Sequence, residues 1–227
     1  MQSTIRHAVT FVVFCAVAGL AGCGTTTPTR SDTTEQVVRA QQTIANFAND
    51  PEMKWFRENL NKARAVIISP RVTRAAFVFG GSGGEALVLA RDKSGRWIGP
   101  AFYNLAAGGV GFQLGVDVSE VVILVMSEQA LNGLLSRSFK LGGDATITAG
   151  PVGVGAAATV TADMVSFARS KGAYVGVSLD GTVLAPDDAA NQAFYGKPVT
   201  PVDILVRATV KNPDAAPLQQ ALARITK

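Results

Sequence analysis

Residues 81–86, Gly-Ser-Gly-Gly-Glu-Ala, match the pattern G-x-G-x-x-A that binds the pyrophosphate of dinucleotides. That chemistry requires a helix directly after the glycines, because the N-terminus of the helix holds the phosphate groups. Here the glycines are followed by a short apolar run, 87–91 (LVLAR), and then by turn residues, which predicts a strand. We therefore interpret the glycines as a hairpin turn. Their backbone amides could still form a concavity that holds the phosphate of a lipid headgroup.

Basic side chains suggest a second chemistry, the binding of anionic headgroups. Six of them lie close together in the sequence, around the predicted second helix and first strand: Lys54, Arg57, Lys62, Arg64, Arg71 and Arg74. Trp55 lies off the apolar stripe of this helix at about 100° per residue, and a tryptophan beside lysines is typical of an interfacial helix. The alternative is a solvated basic face, with Trp55 covered by another element. Arg169 and Lys171 could flank a headgroup, or they could merely cap a strand.

Histidine and cysteine are nearly absent from the chain. It contains 1 His and 2 Cys, at His7, Cys15 and Cys23. If cleavage occurs before Cys23 and this thiol is lipidated, the remaining chain has neither imidazole nor free thiol. That excludes Ser-His-Asp and Cys-His catalysis, zinc sites built from these residues, and disulfides. The acidic residues lack calcium-loop spacing, so we predict no metal, no cofactor and no enzymatic activity.

The first residues predict a secreted lipoprotein. Residues 1–22 contain Arg6 and an apolar run that is too short to span a bilayer, and they end in Leu-Ala-Gly before Cys23. This is a lipoprotein box, in which the cysteine receives acyl chains such as palmitate. We expect residues 23–34 to be a flexible tether. Because Gly24 provides no retention signal for the inner membrane, we expect the protein at the periplasmic side of the outer membrane.

The rest of the chain, residues 35–227, predicts a single α+β domain. Helical patterns cover 35–49 and 51–64, and a final helix covers 218–225. Between them lie short runs rich in valine, isoleucine and phenylalanine, separated by turns such as Asp92–Gly95 and Asp180–Gly181. We expect a curved, mainly antiparallel, glycine-rich sheet, barrel-like or sandwich-like, with helices at both ends. The net charge of +4 is too small for a nucleic-acid binder.

The middle of the chain resembles the SYLF domain. The motifs that carry the resemblance occur in order between about residues 62 and 208: KARAVIISPRVTRAAFVFGGSGGEALVLARD, GRWIGPAFYNLAAGGVGFQLGVDVSEVVILVMSEQALNGLL, FKLGGDATITAGPVGVGA, SFARSKGAYVGVSLDGTVL and FYG. The resemblance implies binding of phosphoinositides and other anionic lipids, binding of actin filaments in some fungal members, and no catalysis. The SH3 module of the eukaryotic relatives is missing from this sequence.

The sequence therefore predicts a non-catalytic, lipid-anchored module that binds anionic membrane lipids through the basic residues named above. The alternative is a protein-interaction module that binds filaments or a cell-envelope partner. A hydrolase that uses carboxylates alone is a third and weaker interpretation, because nothing places two acidic residues together.

Overall fold

A computed structural model describes residues 27–76, 79–110, 115–153, 161–170, 173–174 and 179–226. The predicted signal segment, Cys23 and Lys171 lie outside these residues, so the expectations for them remain predictions.

The described part of the chain contains six α-helices. Their bounds are α1 Arg30–Asn49, α2 Lys54–Asn59, α3 Glu128–Leu134, α4 Asp188–Tyr195, α5 Pro201–Leu205 and α6 Ala216–Ile225. Short 3-10 turns lie on either side of α2, at Pro51–Met53 and Leu60–Lys62, and a third, Pro213–Ala215, precedes α6. Among these helices, none combines the length and the apolar character that crossing a bilayer requires.

Across the described ranges, nine strands form one curled sheet. Their bounds are β1 Ala65–Ala76, β2 Phe79–Arg91, β3 Trp97–Val110, β4 Gly115–Val125, β5 Phe139–Lys140, β6 Ile147–Ala149, β7 Met164–Ser170, β8 Ala173–Tyr174 and β9 Val183–Pro186. The order is β5-β9-β3-β2-β1-β4-β7-β6, with β8 paired to β7. The pair β6–β7 is parallel and the other named pairs are antiparallel. This confirms the predicted α+β class and the mainly antiparallel sheet.

The first helix begins earlier than predicted. Thr29 and Asp32 form a capping box, in which each side chain accepts a hydrogen bond from the backbone N–H of the other residue. The helix therefore starts at Arg30, and the last residues of the predicted tether are helical. Two further helical segments have side-chain caps: Asp50 accepts from the N–H of Glu52, and Ser127 accepts from the N–H of Ala130.

Helices cover both faces of the sheet, so the molecule has two cores. The first core joins α1, α2, α4 and α6 to one face, through residues such as Phe47, Phe56 and Leu222. The second core joins α3, α5 and β5 to the other face, through residues such as Leu134 and Leu205. Because both faces are buried here, neighbouring residues of one strand are all apolar, as in the runs AVII and VVILV.

The glycine cluster lies inside a strand and does not form a turn. Residues 81–84 belong to β2 and pair with both β1 and β3, so the hairpin interpretation was right about the strand pairing and wrong about the position of the turn. The element that follows the glycines is more of the same strand, which confirms that no helix is present there to hold a pyrophosphate.

Two adjacent glycines in β2 allow a matched test. A Cβ at Gly84 would overlap the carbonyl oxygen of Arg71, whereas a Cβ at Gly83 would lie 3.6 Å from the carbonyl oxygen of Leu105. We expect Gly84→Ala to lower the free energy of unfolding by about 1–3 kcal/mol, because backbone must move. Gly83→Ala should change it little. Urea unfolding of both variants measures the difference, and equal stabilities would contradict the register described here.

Candidate functional site

Three of the predicted headgroup-binding residues are exposed: Lys54 at the start of α2, and Lys62 and Arg64 just before β1. The ammonium group of Lys54 lies 3.7 Å from the Glu58 carboxylate on the same helix, and Lys62 donates to Asn59 Oδ1 at 2.9 Å. Arg64 Nε lies 3.2 Å from Glu128 Oε1 of α3. Exposed ion pairs of this kind are worth little, so the cations remain available to an anionic partner.

The Arg57 side chain is engaged in hydrogen bonds within the protein. Its guanidinium donates to the carbonyl oxygens of Ala48 at 3.3 Å, Asp50, and Pro51 at 3.5 Å. These oxygens end α1 and begin the next turn, where the helix dipole favours a cation. The structure therefore gives Arg57 a role in fixing the angle between α1 and α2.

Trp55 is buried, and the expectation that it lies outside the core was wrong. Only 6% of its surface is exposed, and its ring centroid lies 5.9 Å from that of Phe167 in β7. The 3-10 turn Pro51–Met53 precedes α2, so the α-helical spacing counted from Met53 does not hold. The covering element is a strand more than a hundred residues away in the chain.

Burial of Trp55 predicts a stability effect. Trp55→Phe keeps an aromatic ring against Phe167 but removes buried apolar surface, so we expect the free energy of unfolding to fall by about 1–2 kcal/mol. Binding of the folded variant to anionic vesicles should not change. Urea unfolding measures the stability and vesicle flotation measures the binding. Loss of binding with unchanged stability would mean that Trp55 is part of the membrane-binding surface.

Arg71 and Arg74 lie on opposite faces of β1, because successive side chains alternate. Val72 belongs to the second core, so Arg74 faces that side and Arg71 faces the helices of the first core. Arg71 is exposed and stands directly opposite Glu85, a carboxyl whose pKa is raised by burial. Arg74 is half-buried opposite Asp117; burial lowers its pKa, and Asp117 opposes that change.

The predicted cluster therefore divides into separate groups. Arg71 lies seven residues beyond Arg64, which is about 20 Å along a strand. Arg169, on β7, is partly buried; its Nη1 lies 3.3 Å from Glu120 Oε2. Glu120 also accepts from Thr43 at 3.0 Å and from Asn46 at 3.1 Å, so Arg169 belongs to a network that holds α1 on the sheet.

The structure adds basic residues that the sequence analysis did not select. Ala65 pairs with Ala90, and the N–H of Arg91 donates to the carbonyl oxygen of Arg64 at 2.9 Å. The beginning of β1 and the end of β2 therefore meet at one end of the sheet, with the turn 92–96 beside them. We call the cations gathered there the basic rim: Lys62, Arg64, Arg91, Lys93 and Arg96.

Carboxylates at this end are already engaged. Asp92 accepts from the backbone and side chain of Ser94 and lies 2.8 Å from Arg96 Nη2, and these bonds hold its pKa well below the usual value. Glu128 meets Arg64, and Asp163 accepts from Thr146. Five cations therefore face three carboxylates, a modest positive excess. The sequence signal that could have located the basic rim is the two apolar runs 65–68 and 87–90. If they pair as antiparallel neighbours, the residues just before the first run and just after the second lie together.

The described residues contain no group of three or more His, Cys, Asp or Glu side chains that could hold a metal ion. Two tyrosine hydroxyls in the described part of the chain have structural partners. Tyr103 donates to the carbonyl oxygen of Leu134 at 2.6 Å and Tyr195 to that of Pro100 at 2.8 Å. Burial raises the pKa of both hydroxyls, so they stay protonated and act as fixed hydrogen-bond donors.

The matching family model and the similar proteins indicate the same family. Residues 106–225 match the family model Ysc84, described as "Las17-binding protein actin regulator". Protein YSC84 of Saccharomyces cerevisiae is 32% identical over 170 residues, which is 72% of this chain and 36% of that protein. The human SH3 domain-containing YSC84-like protein 1 is 28% identical over 210 residues, 88% of this chain and 61% of that protein.

An SH3 domain-containing protein of Schizosaccharomyces pombe is 34% identical over 170 residues, which is 72% of this chain and 39% of that protein. The chain thus spans between about a third and three-fifths of the length of these relatives. The family model covers more than half of the chain, and it includes most of the motifs that indicated a SYLF domain. The chain belongs to the Ysc84 (SYLF) family.

Proposed function

We propose that this chain is a non-catalytic binding module that docks on anionic membrane lipids through the basic rim. The observation that carries the proposal is the convergence of cations from two strand ends and a turn at one end of the sheet. Each basic residue near an anionic surface contributes about 1 kcal/mol of binding, so the rim is adequate for weak, reversible docking. Phosphoinositide-like headgroups, with several phosphates, are the ligand class that such a rim suits.

The proposal includes an anchor at Cys23, at the periplasmic side of the outer membrane. Acylation of this cysteine would place the domain close to the bilayer, because the cap residue Thr29 lies only six positions after Cys23. Six residues reach at most about 20 Å. Docking would then be a local event, in which the rim finds headgroups already held within reach.

Vesicle flotation tests the docking proposal. The unlipidated protein, carrying Cys23→Ser, is mixed with neutral vesicles and with vesicles that contain a quarter of phosphatidylglycerol. We expect binding only to the anionic vesicles, and we expect it to weaken as salt screens the exposed charges. Equal binding to both kinds of vesicle, or binding that salt does not affect, would refute docking by charge.

A second candidate is protein interaction, which the family description favours. The matched family is described as Las17-binding, and several relatives carry an SH3 domain in their names. We propose on this ground that a face outside the basic rim recognises a filament or a cell-envelope protein. Co-sedimentation with actin filaments and crosslinking in envelopes test it, and capture that survives removal of Lys62 and Arg64 would favour this candidate over lipid docking.

A further inference from the structure

Two buried hydrogen-bond donors at the basic rim have no acceptor among the described residues. They are Nε1 of Trp97 and Nε of Arg91. The two residues are directly opposite each other in the β2–β3 register, and Trp97 is 5% exposed. A buried donor without a partner is costly, so such groups in a folded chain commonly mark the place of a missing ligand or ion.

The Arg91 guanidinium has no carboxylate partner among the residues that the structure describes. Its guanidinium carbon lies 4.8 Å from the centroid of the Trp97 ring, a cation–π arrangement, and its Nη1 lies against the turn at Gly95. The carboxylate of the neighbouring residue, Asp92, accepts its hydrogen bonds from Ser94 and Arg96. Burial lowers the pKa of Arg91, and no carboxylate opposes that change.

We infer that Arg91 and Trp97 form a binding site for a phosphate monoester group. A guanidinium presents several donors in one plane and matches phosphate oxygens, and the indole N–H adds a donor from a second strand. The inference rests on the proposed function, because it names the chemical group of the lipid headgroup that the basic rim would bind.

The indole N–H signals offer a direct readout. The chain has 2 Trp, so a full-length sample labelled with ¹⁵N in tryptophan gives two indole signals, and Trp97→Phe assigns them. The sample, in neutral detergent, is titrated with inorganic phosphate, with glycerol 3-phosphate, and with phosphatidic acid in the micelles. Sodium chloride at matched ionic strength is the control.

We expect the Trp97 signal to move saturably with phosphate while the Trp55 signal, inside the first core, stays and reports an intact fold. Arg91→Lys, which keeps the charge but loses Nε and the planar group, should weaken the apparent affinity at least tenfold. Movement with phosphatidic acid assigns the site to a lipid headgroup, whereas movement with the soluble compounds alone assigns it to a free phosphate ester.

A Trp97 signal that does not move, or that moves equally with chloride, would overturn the inference. So would an affinity that Arg91→Lys leaves unchanged. These outcomes are separable from failure of the docking proposal, because docking is tested with phosphatidylglycerol, a diester, and with variants at Lys62 and Arg64 that leave this pair intact.

Discussion

The double variant Lys62→Gln/Arg64→Gln is expected to bind anionic vesicles about 30-fold more weakly than the unaltered protein. Both side chains are exposed at the basic rim, and each neutralised cation removes about 1 kcal/mol of attraction to the surface. Neither residue belongs to a core, so the free energy of unfolding should change by less than about 0.5 kcal/mol. Flotation at low salt measures the binding.

The matched control is Arg71→Gln/Lys140→Gln. Both residues are exposed, and the charge change is the same. Arg71 lies in the distal half of β1, and Lys140 pairs through Val183 with the level of Ala106, away from the rim. We expect this variant to retain nearly all its binding. If both double variants lose binding equally, net charge governs the interaction and the basic rim is not a site.

Asn191→Leu is expected to be the most damaging single change to the fold. Asn191, on α4, is fully buried; it accepts from the N–H of Phe102 at 2.9 Å and donates to the carbonyl oxygen of the same residue at 3.1 Å. The side chain thus pairs with β3 as another strand would. Leucine leaves the N–H of Phe102 buried without a partner, whereas the carbonyl oxygen of Phe102 keeps the hydrogen bond from the N–H of Asp187 at 2.9 Å. The unsatisfied N–H costs about 2 kcal/mol and the lost second bond about 1 kcal/mol, so the free energy of unfolding should fall by about 3 kcal/mol.

The adjacent residue provides the comparison for this prediction. Gln192 lies on the same helix and is exposed, so Gln192→Leu should alter the free energy of unfolding by less than about 0.5 kcal/mol. Urea unfolding followed by circular dichroism compares the two variants. An Asn191→Leu protein as stable as the Gln192→Leu protein would mean that α4 does not rest on β3 through this pair.

Local chemistry made much of the fold predictable. The caps Asp50 and Ser127 are short-range signals, and the turn at Asp92–Gly95 ends in a glycine with φ of 80°. The β-branched runs gave the strands, and their antiparallel pairing followed from the short turns between them. These features depend on residues within about five positions of each other, so a single sequence contains the information.

The candidate site was less predictable, because its members meet through long-range pairing. Arg91 joins Arg64 only when β1 and β2 are in register, and a bulge between Ile68 and Arg71 shifts that register along the same strand pair. Trp55 is covered by Phe167, which no local pattern could show. Proximity in sequence suggested one cluster, whereas strand alternation divides Arg71 from Arg74.

Single-cysteine labelling would measure most directly whether the basic rim faces the membrane. Residues 24–227 contain no cysteine, so Lys93→Cys and Lys140→Cys each give one attachment point for an environment-sensitive fluorophore in a chain that begins after residue 23. Anionic vesicles should shift the emission of the label at position 93 to shorter wavelength and leave that at position 140 unchanged. A shift at position 140 alone, or equal shifts at both, would contradict docking through the rim.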